Sequence, residues 1–101
     1  MPDNNRHVQI DHHGPVPVTQ QIAGIIRGRI ERGRATGAEG DDSYPPGRAI
    51  PSLERIRQET GCAVKTIQRA VRILAAEGLV EVVDGKGTFV KLSRPRQRGD
   101  G

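Results

Sequence analysis

The 101-residue sequence contains one cysteine, one tyrosine, one phenylalanine and no tryptophan. A single cysteine excludes an internal disulfide framework, and so few rings predict a small, aliphatic core. No apolar run approaches the ~20 residues of a transmembrane helix. The first residues also lack the apolar centre of a signal peptide. We therefore expect one cytoplasmic domain.

The sequence also lacks the residue patterns of an enzyme or a metal site. No histidine follows His13, so Cys62 is interpreted as a small turn or core residue and not as a nucleophile. His7, His12 and His13 have no fourth ligand at a recognised spacing. No glycine loop with a following Lys-Ser or Lys-Thr is present to hold a phosphate. We predict no catalytic residue, no metal and no cofactor.

The positive charge is concentrated in the second half of the chain. The whole sequence has 16 basic and 12 acidic residues and a net charge of +4. Residues 63 to 98 contain eight basic and three acidic side chains, a net charge of +5, so the remainder sums to −1. This distribution is expected of a surface that contacts phosphates, although an ordinary solvated surface would also produce it.

Two short helical patterns joined by a tight turn form the centre of the chain. Apolar residues recur at helical spacing in residues 53 to 60 and again in residues 63 to 77, with Gly61 in the turn between them. Ser52 precedes the first pattern and can cap its free amides. This arrangement is typical of a helix-turn-helix, whose second helix can enter a DNA major groove.

A further helix is predicted from residue 17 to 32, with Gly33 as its C-terminal stop. Gly24 and Gly28 lie inside it and cost about 1 kcal/mol each relative to Ala, a cost that close packing would explain. We expect residues 33 to 43 to form a flexible acidic loop that points away from phosphates. After it come a rigid Pro-Pro-Gly turn and a very short strand at residues 49 to 51.

Two strands are predicted at residues 79 to 83 and 88 to 92. Asp84-Gly85 between them is a strong signal for a two-residue hairpin loop, and a hairpin in this position is a wing. The predicted fold class is therefore α+β, a winged helix-turn-helix of three helices and a C-terminal hairpin. We assign residues 1 to 16 to a flexible arm, 17 to 92 to the domain and 93 to 101 to a basic disordered tail.

Three stretches occur in a fixed order along the chain. They are Pro17-Val18 with Gln21-Ile22 and Ile30, then Tyr44-Pro45-Pro46-Gly47 with Ile50-Pro51-Ser52, and then residues 70 to 74 with Glu77-Gly78-Leu79-Val80, Gly85 and Gly87-Thr88-Phe89-Val90. Together they resemble the GntR family of bacterial transcription regulators, whose DNA-binding half is a winged helix. Each piece alone is weak, but the ordered combination spans residues 17 to 90 and is specific.

The departures from the family pattern are informative. The family commonly has arginines at positions that correspond here to Glu54, Val64 and Gln68, so its guanine preference is not expected in this chain. Thr66 matches the family pattern, as do Gly85 and Thr88 in the wing. Members usually carry a C-terminal ligand-binding or dimerisation region, whereas only about ten residues follow the wing here. We expect either a stand-alone or an excised DNA-binding domain.

The resulting hypothesis is a sequence-specific DNA-binding transcriptional regulator, most simply a repressor, whose helix from residue 63 to 77 enters the major groove. The wing would then contact the backbone or the minor groove. The predicted DNA-binding residues are Ser52, Lys65, Thr66, Gln68, Arg69, Arg72, Gly85, Lys86 and Thr88.

The predicted partner is double-stranded DNA with an inverted-repeat operator. No dimerisation helix is evident, so we expect a monomer or weak dimer in solution that pairs on DNA. One alternative is a winged helix that contacts proteins in a plasmid or phage regulatory complex. RNA binding ranks third, because Tyr44 and Phe89 are too few to stack single-stranded bases.

Overall fold

The computed structural model describes residues 9 to 92. Residues 1 to 8 of the predicted arm and the predicted basic tail lie outside the described residues. Residues 9 to 92 form three helices followed by a two-stranded antiparallel sheet, which confirms the predicted α+β winged helix-turn-helix. The elements are α1 (Val18–Thr36), α2 (Leu53–Thr60), α3 (Val64–Ala76), β1 (Val80–Val83) and β2 (Gly87–Val90).

A single aliphatic cluster lies between α1, α3 and the base of the hairpin. Its members are aliphatic except for Tyr44 and Cys62, as the near absence of aromatic residues predicts. The largest side chains with almost no exposure are Tyr44, Ile22, Ile26, Ile30, Ile56, Ile67, Leu74, Val80 and Val90. Cys62 is buried beside the turn of the helix-turn-helix.

Helix α1 continues one turn beyond the predicted stop. Gly33 lies inside the helix, and Gly37 ends it with a φ of 71° and an amide that donates to the Gly33 carbonyl at 2.7 Å. A Cβ on Gly33 would lie 2.3 Å from the carbonyl carbon of Tyr44 and 2.5 Å from the nitrogen of Pro45. Gly33 therefore permits the close approach of two backbone segments and does not terminate the helix.

The other two glycines of α1 do not serve close packing. A Cβ on Gly28 would have no neighbour within 4 Å, and one on Gly24 would meet only the Nη1 atom of Arg27 at 4.0 Å. The explanation by close packing is therefore wrong for both positions.

The ends of α2 and α3 follow from local sequence. The Arg55 amide donates to Ser52 Oγ at 3.2 Å, which confirms the predicted cap, and Gly61 ends α2 with a φ of 74°. Helix α3 begins after Ala63, which supplies no side-chain cap. At its other end Gly78 has a φ of 82° and the Leu79 amide donates to the Leu74 carbonyl at 3.0 Å, as in a Schellman motif.

The wing has a three-residue loop. Strand pairing runs from Val80 opposite Val90 to Val83 opposite Gly87, which leaves residues 84 to 86 unpaired. The expected two-residue loop is therefore wrong. Gly85, with a φ of 77°, occupies the third position of a turn that the Lys86 amide closes on the Val83 carbonyl at 3.0 Å. Lys86 consequently belongs to the loop itself.

The segment before α2 joins the edge of the wing. The Ile50 amide donates to the Thr88 carbonyl at 2.8 Å, and the Val90 amide donates to the Arg48 carbonyl at 2.9 Å. The predicted very short strand thus exists as one bridge, between Ala49 and Phe89. This pairing fixes the start of α2 beside the hairpin.

Residues 9 to 16, which were predicted to belong to the flexible arm, lie against α1 through the side chain of Gln21. Its Nε2 atom donates to the carbonyls of Asp11 and Val16, both at 2.8 Å, and its Oε1 atom accepts from the Asp11 amide at 2.8 Å. Between residues 9 and 92, no helix has the length and apolar content needed to cross a membrane.

Candidate nucleic-acid interface

Helix α3 has one buried and one exposed face. Ile67, Ala70, Val71 and Leu74 are buried against the core. The opposite face exposes the side chains of Lys65, Gln68, Arg69 and Arg72, spaced three or four residues apart so that they line one side of the helix. Thr66 is half-buried at the border between the two faces.

Two grooves join this face to the wing and to the start of α2. The larger, of about 580 Å³, brings Ser52 together with Gly85, Lys86 and Thr88. The smaller, of about 180 Å³, is lined by Leu53, Gln68, Val71, Arg72, Val82 and Thr88. Leu53, Val82 and Thr88 line both grooves, so the two grooves lie next to each other. Lys65, Thr66 and Arg69 line neither groove and lie along α3 beside them.

In the described part of the chain, five arginines away from this face are paired with carboxylates. The pairs are Arg27 with Glu77, Arg29 with Glu59, Arg48 with Glu39, Arg55 with Asp41 and Arg57 with Glu54.

Across residues 9 to 92, by contrast, no ion pair involves Lys65, Arg69, Arg72 or Lys86. These four cations follow α3 and the wing loop. They give this surface an uncompensated positive charge, which attracts a polyanion to it. Arg32, Arg34 and Lys91 also take part in none of these ion pairs, but Arg32 and Arg34 donate to backbone carbonyls instead. We call this surface, composed of the nine predicted DNA-binding residues, the recognition surface.

A buried polar cluster positions α2 beneath the recognition surface. Arg29 of α1 donates from Nη1 to Glu59 Oε1 of α2 at 2.8 Å and to the Tyr44 hydroxyl at 2.6 Å. The side chains of Arg29 and Glu59 are each only 9% exposed. Burial alone lowers the pKa of Arg29, but the hydrogen bonds to Glu59 and Tyr44 raise it further than burial lowers it. Burial also raises the pKa of Tyr44, so its hydroxyl is protonated at neutral pH.

A second link holds the far end of α3. The Arg27 guanidinium donates from Nε and Nη2 to the two carboxylate oxygens of Glu77, at 3.0 and 2.7 Å. This hydrogen bonding raises the pKa of Arg27. The pair joins α1 to the C-terminal end of α3, outside the two grooves, and leaves Arg27 neutralised by a carboxylate.

The ion pairs of α2 were not predicted from the sequence. Glu54 and Arg57 stand three residues apart, a spacing that brings helical side chains together, and their hydrogen bonds lower the pKa of the Glu54 carboxyl. The signal was therefore available in the sequence. The pairing of Arg55 with Asp41 had no such signal, because it joins α2 to a residue in the loop after α1.

The described residues provide no metal centre. Between residues 9 and 92, no group of three or more His, Cys, Asp or Glu side chains is close enough to hold a metal ion. His12 and His13 are exposed at the start of the described chain, and His7 lies outside it.

Comparison with known proteins agrees with this arrangement. The profile described as "Bacterial regulatory proteins, gntR family" matches residues 18 to 90. The Histidine utilization repressor of Pseudomonas putida is 35% identical over 77 residues, which cover 76% of this chain and 27% of that protein. The Mannosyl-D-glycerate transport/metabolism system repressor MngR of Escherichia coli (strain K12) is 33% identical over 81 residues, which cover 80% of this chain and 30% of that protein. The chain thus spans less than a third of the length of these relatives.

Solved structures show the same fold. The DNA-binding domain of AraR, crystallised in complex with operator ORX1, has a TM-score of 0.66 at 28% identity, over 83% of this chain and 96% of that one. YtrA from Sulfolobus acidocaldarius, a GntR-family transcription factor, has a TM-score of 0.64 at 27% identity, over 89% of this chain and 68% of that one. The chain therefore belongs to the GntR family of bacterial regulatory proteins.

Proposed function

We propose that this domain binds double-stranded operator DNA in a sequence-specific manner and represses transcription in the bacterial cytoplasm. The observation that carries the proposal is the unpaired positive charge of the recognition surface, next to two adjacent grooves. An α-helix fits the major groove of B-DNA, and the exposed face of α3 carries both base-reading and phosphate-binding side chains.

The chemistry of each side chain suggests a role. Gln68 can pair bidentately with adenine, Lys65 can donate to guanine acceptors, and Thr66 can contact a base or a phosphate. Arg69 and Arg72 are suited to phosphates, because guanidinium groups form strong charge-assisted bonds to them.

The groove between α2 and the wing suits the DNA backbone. Ser52 lies at the N-terminus of α2, where free amides and the helix dipole favour an anion. Lys86 in the wing loop supplies a positive charge across the groove, and the Gly85 amide and the Thr88 hydroxyl are further donors. A phosphate held there would fix the register of α3 in the major groove.

The comparisons support this proposal. The AraR domain was crystallised with an operator, and several curated relatives are named as repressors. These relatives are transcription regulators and not enzymes, and we propose that this chain too lacks catalytic activity.

We further propose that the domain is a monomer or a weak dimer in solution and pairs on an inverted repeat. Two winged helices on one operator would place their two α3 helices in two successive major grooves, about one helical turn apart. Analytical ultracentrifugation with and without the operator would test this. A tight dimer at low micromolar concentration without DNA would contradict it.

The experiment that tests the function is selection from a library of random DNA duplexes. The proposal predicts enrichment of one sequence, most simply an inverted repeat. Changing Gln68 to Ala should relax the preference at one base position of each half-site, at a cost of about 1 to 3 kcal/mol in discrimination. Gln20→Ala is the matched control, because Gln20 is an exposed glutamine on α1.

The outcomes separate the proposal from its rivals. No enrichment, together with weak binding of every duplex, would contradict operator recognition and favour the protein-contact hypothesis. Preference for single-stranded RNA over duplex DNA would favour the third hypothesis.

A further inference from the structure

The loop after α1 is held in a defined position by hydrogen bonds. Gly40 and Ser43 exchange backbone hydrogen bonds at 3.0 and 3.3 Å. The Ser43 hydroxyl donates to the Ala38 carbonyl at 2.7 Å, and Arg32 Nε of α1 donates to the Asp42 carbonyl at 2.9 Å. The glycine content of this loop had suggested flexibility, but these bonds give its backbone a defined path.

Two acidic side chains of this loop face arginines near the start of α2. Asp41 Oδ1 accepts from Arg55 Nη2 at 3.1 Å, and Glu39 Oε1 lies 3.7 Å from Arg48 Nη2. All four side chains are at least half exposed. Asp42 differs from them, because no ion pair within residues 9 to 92 involves its carboxylate.

The pair of Arg55 and Asp41 lies directly beside the proposed phosphate position at Ser52, and Glu39 lines the same groove as this pair. Arg55 is in the first turn of α2, and its amide donates to Ser52 Oγ. Arg55 and Asp41 line a groove of about 320 Å³. This groove shares Ala49 and Pro51 with the groove of the wing, so a single extended segment separates the two.

We propose that Arg55 and Arg48 form an additional phosphate-binding site for the DNA backbone, and that Asp41 and Glu39 occupy it as internal competitors. This inference rests on the proposed DNA binding. Carboxylate and phosphate oxygens present the same acceptors to a guanidinium. A carboxylate on this loop therefore neutralises the arginine that a neighbouring phosphate would otherwise contact.

The competition has a measurable consequence. Each phosphate neutralised by a protein cation contributes about −0.9 to the slope of log K against log salt. An arginine released from its carboxylate adds one such contact. Because that contact loses its contribution near ~1 M salt, it should raise the affinity about eightfold at ~0.1 M. The acidic loop thus limits both the affinity for DNA and the dependence of that affinity on salt.

The test compares two substitutions that change the net charge equally. Asp41→Asn and Asp42→Asn each remove one negative charge from the same loop, but only the first removes the charge that neutralises Arg55. The probe is a mixed-sequence duplex of about 20 base pairs, two helical turns, titrated at several salt concentrations. We expect Asp41→Asn to bind about eightfold more tightly at ~0.1 M salt, with a slope steeper by about 0.9. Asp42→Asn should change both values much less.

A double-mutant cycle tests whether Arg55 is the arginine that makes the additional phosphate contact. Arg55→Gln should weaken DNA binding little in the original chain and about eightfold in the Asp41→Asn chain at the same salt. Glu39→Gln repeats the comparison on the second pair, because it removes the carboxylate that faces Arg48. Since all these side chains are half exposed, we expect the variants to unfold at the same temperature as the unchanged domain.

The possible failures are distinguishable. Equal effects of Asp41→Asn and Asp42→Asn, or equal effects of Arg55→Gln in both backgrounds, would overturn the competition and leave the proposed DNA binding intact. Absence of duplex binding by every variant, including Asp41→Asn at low salt, would overturn both.

Discussion

Alanine at Gly33 and at Gly28 should have opposite effects on stability, although both glycines lie inside α1. At Gly28 the helix offers open space for a methyl group. Replacing a helical glycine with alanine removes backbone freedom from the unfolded chain and gains about 1 kcal/mol. For a domain of this size, that gain corresponds to an increase of roughly 4 to 8 °C in the midpoint of thermal unfolding.

At Gly33 the added methyl group would meet backbone atoms and not a flexible side chain. Its carbon would lie 2.3 Å from the carbonyl of Tyr44, so one of the two segments must move. Such overpacking costs about 1 to 3 kcal/mol. The movement also threatens the hydrogen bond from the Tyr44 amide to the Arg29 carbonyl, 2.9 Å long, worth about 1 kcal/mol. With the gain of about 1 kcal/mol in helix propensity, the net loss is about 1 to 3 kcal/mol.

Urea titrations followed by circular dichroism measure both changes on the same domain. We expect Gly28→Ala to unfold at the highest urea concentration, the unchanged chain at a lower one and Gly33→Ala at the lowest. The reasoning would be refuted if Gly33→Ala were as stable as the unchanged chain, because the contact between α1 and the Tyr44-Pro45 backbone would then be looser than the structure shows. A loss of stability in Gly28→Ala would refute the prediction that the helix offers open space for a methyl group at that position.

Three further predictions concern buried and exposed charges. Glu59→Ala leaves the Arg29 guanidinium without its buried carboxylate and should cost about 3 to 5 kcal/mol in urea titrations; a cost below about 1 kcal/mol would contradict the burial of the pair. Because burial raises the pKa of Tyr44, the folded state retains that proton more strongly than the unfolded state, so stability should fall as the pH rises above about 10. Tyr44→Phe should lack this fall, and an equal fall in both chains would assign it to another group. Arg72→Ala should reduce the salt slope of DNA binding by about 0.9, whereas Arg27→Ala, which removes an arginine already paired with a carboxylate, should leave it nearly unchanged; equal effects would contradict the assignment of the recognition surface.

Local sequence signals were sufficient for the order and type of all five elements. Helical spacing of apolar residues determines which side of α3 faces the core, and the exposed side follows from it. Ser52 and Gly61 form hydrogen bonds with backbone groups three or four residues away in the sequence. The cap and the turn of the helix-turn-helix were therefore also predictable. Gly78 ends α3 for the same local reason.

Two failures of prediction depend on contacts between distant segments. Gly33 resembles a helix stop, yet α1 continues through it because Tyr44-Pro45 packs against that point. The pairing of Arg29 with Glu59 joins residues 30 positions apart and leaves no periodic signal. One failure is local: the loop of the wing is one residue longer than the Asp84-Gly85 signal indicated, because Val83 pairs with Gly87 and not with Lys86.

The recognition surface was predictable only in part. The exposed cations of α3 follow from helical spacing, but the grouping of Ser52 with Lys86 requires the bridge between Ala49 and Phe89. The distinction between paired and unpaired arginines also requires the folded structure. Composition placed the excess of positive charge in the second half of the chain, and the fold shows that carboxylates neutralise five arginines elsewhere.

The central claim is that α3, the wing and the start of α2 form one DNA-binding surface. The most direct test is to map the backbone amide chemical shifts of the isotope-labelled domain during titration with the duplex enriched from the random library. We expect the largest changes at residues 52 to 55, 64 to 72 and 84 to 88, with little change along the exposed face of α1. Changes concentrated on α1 and absent from α3 would contradict the claim.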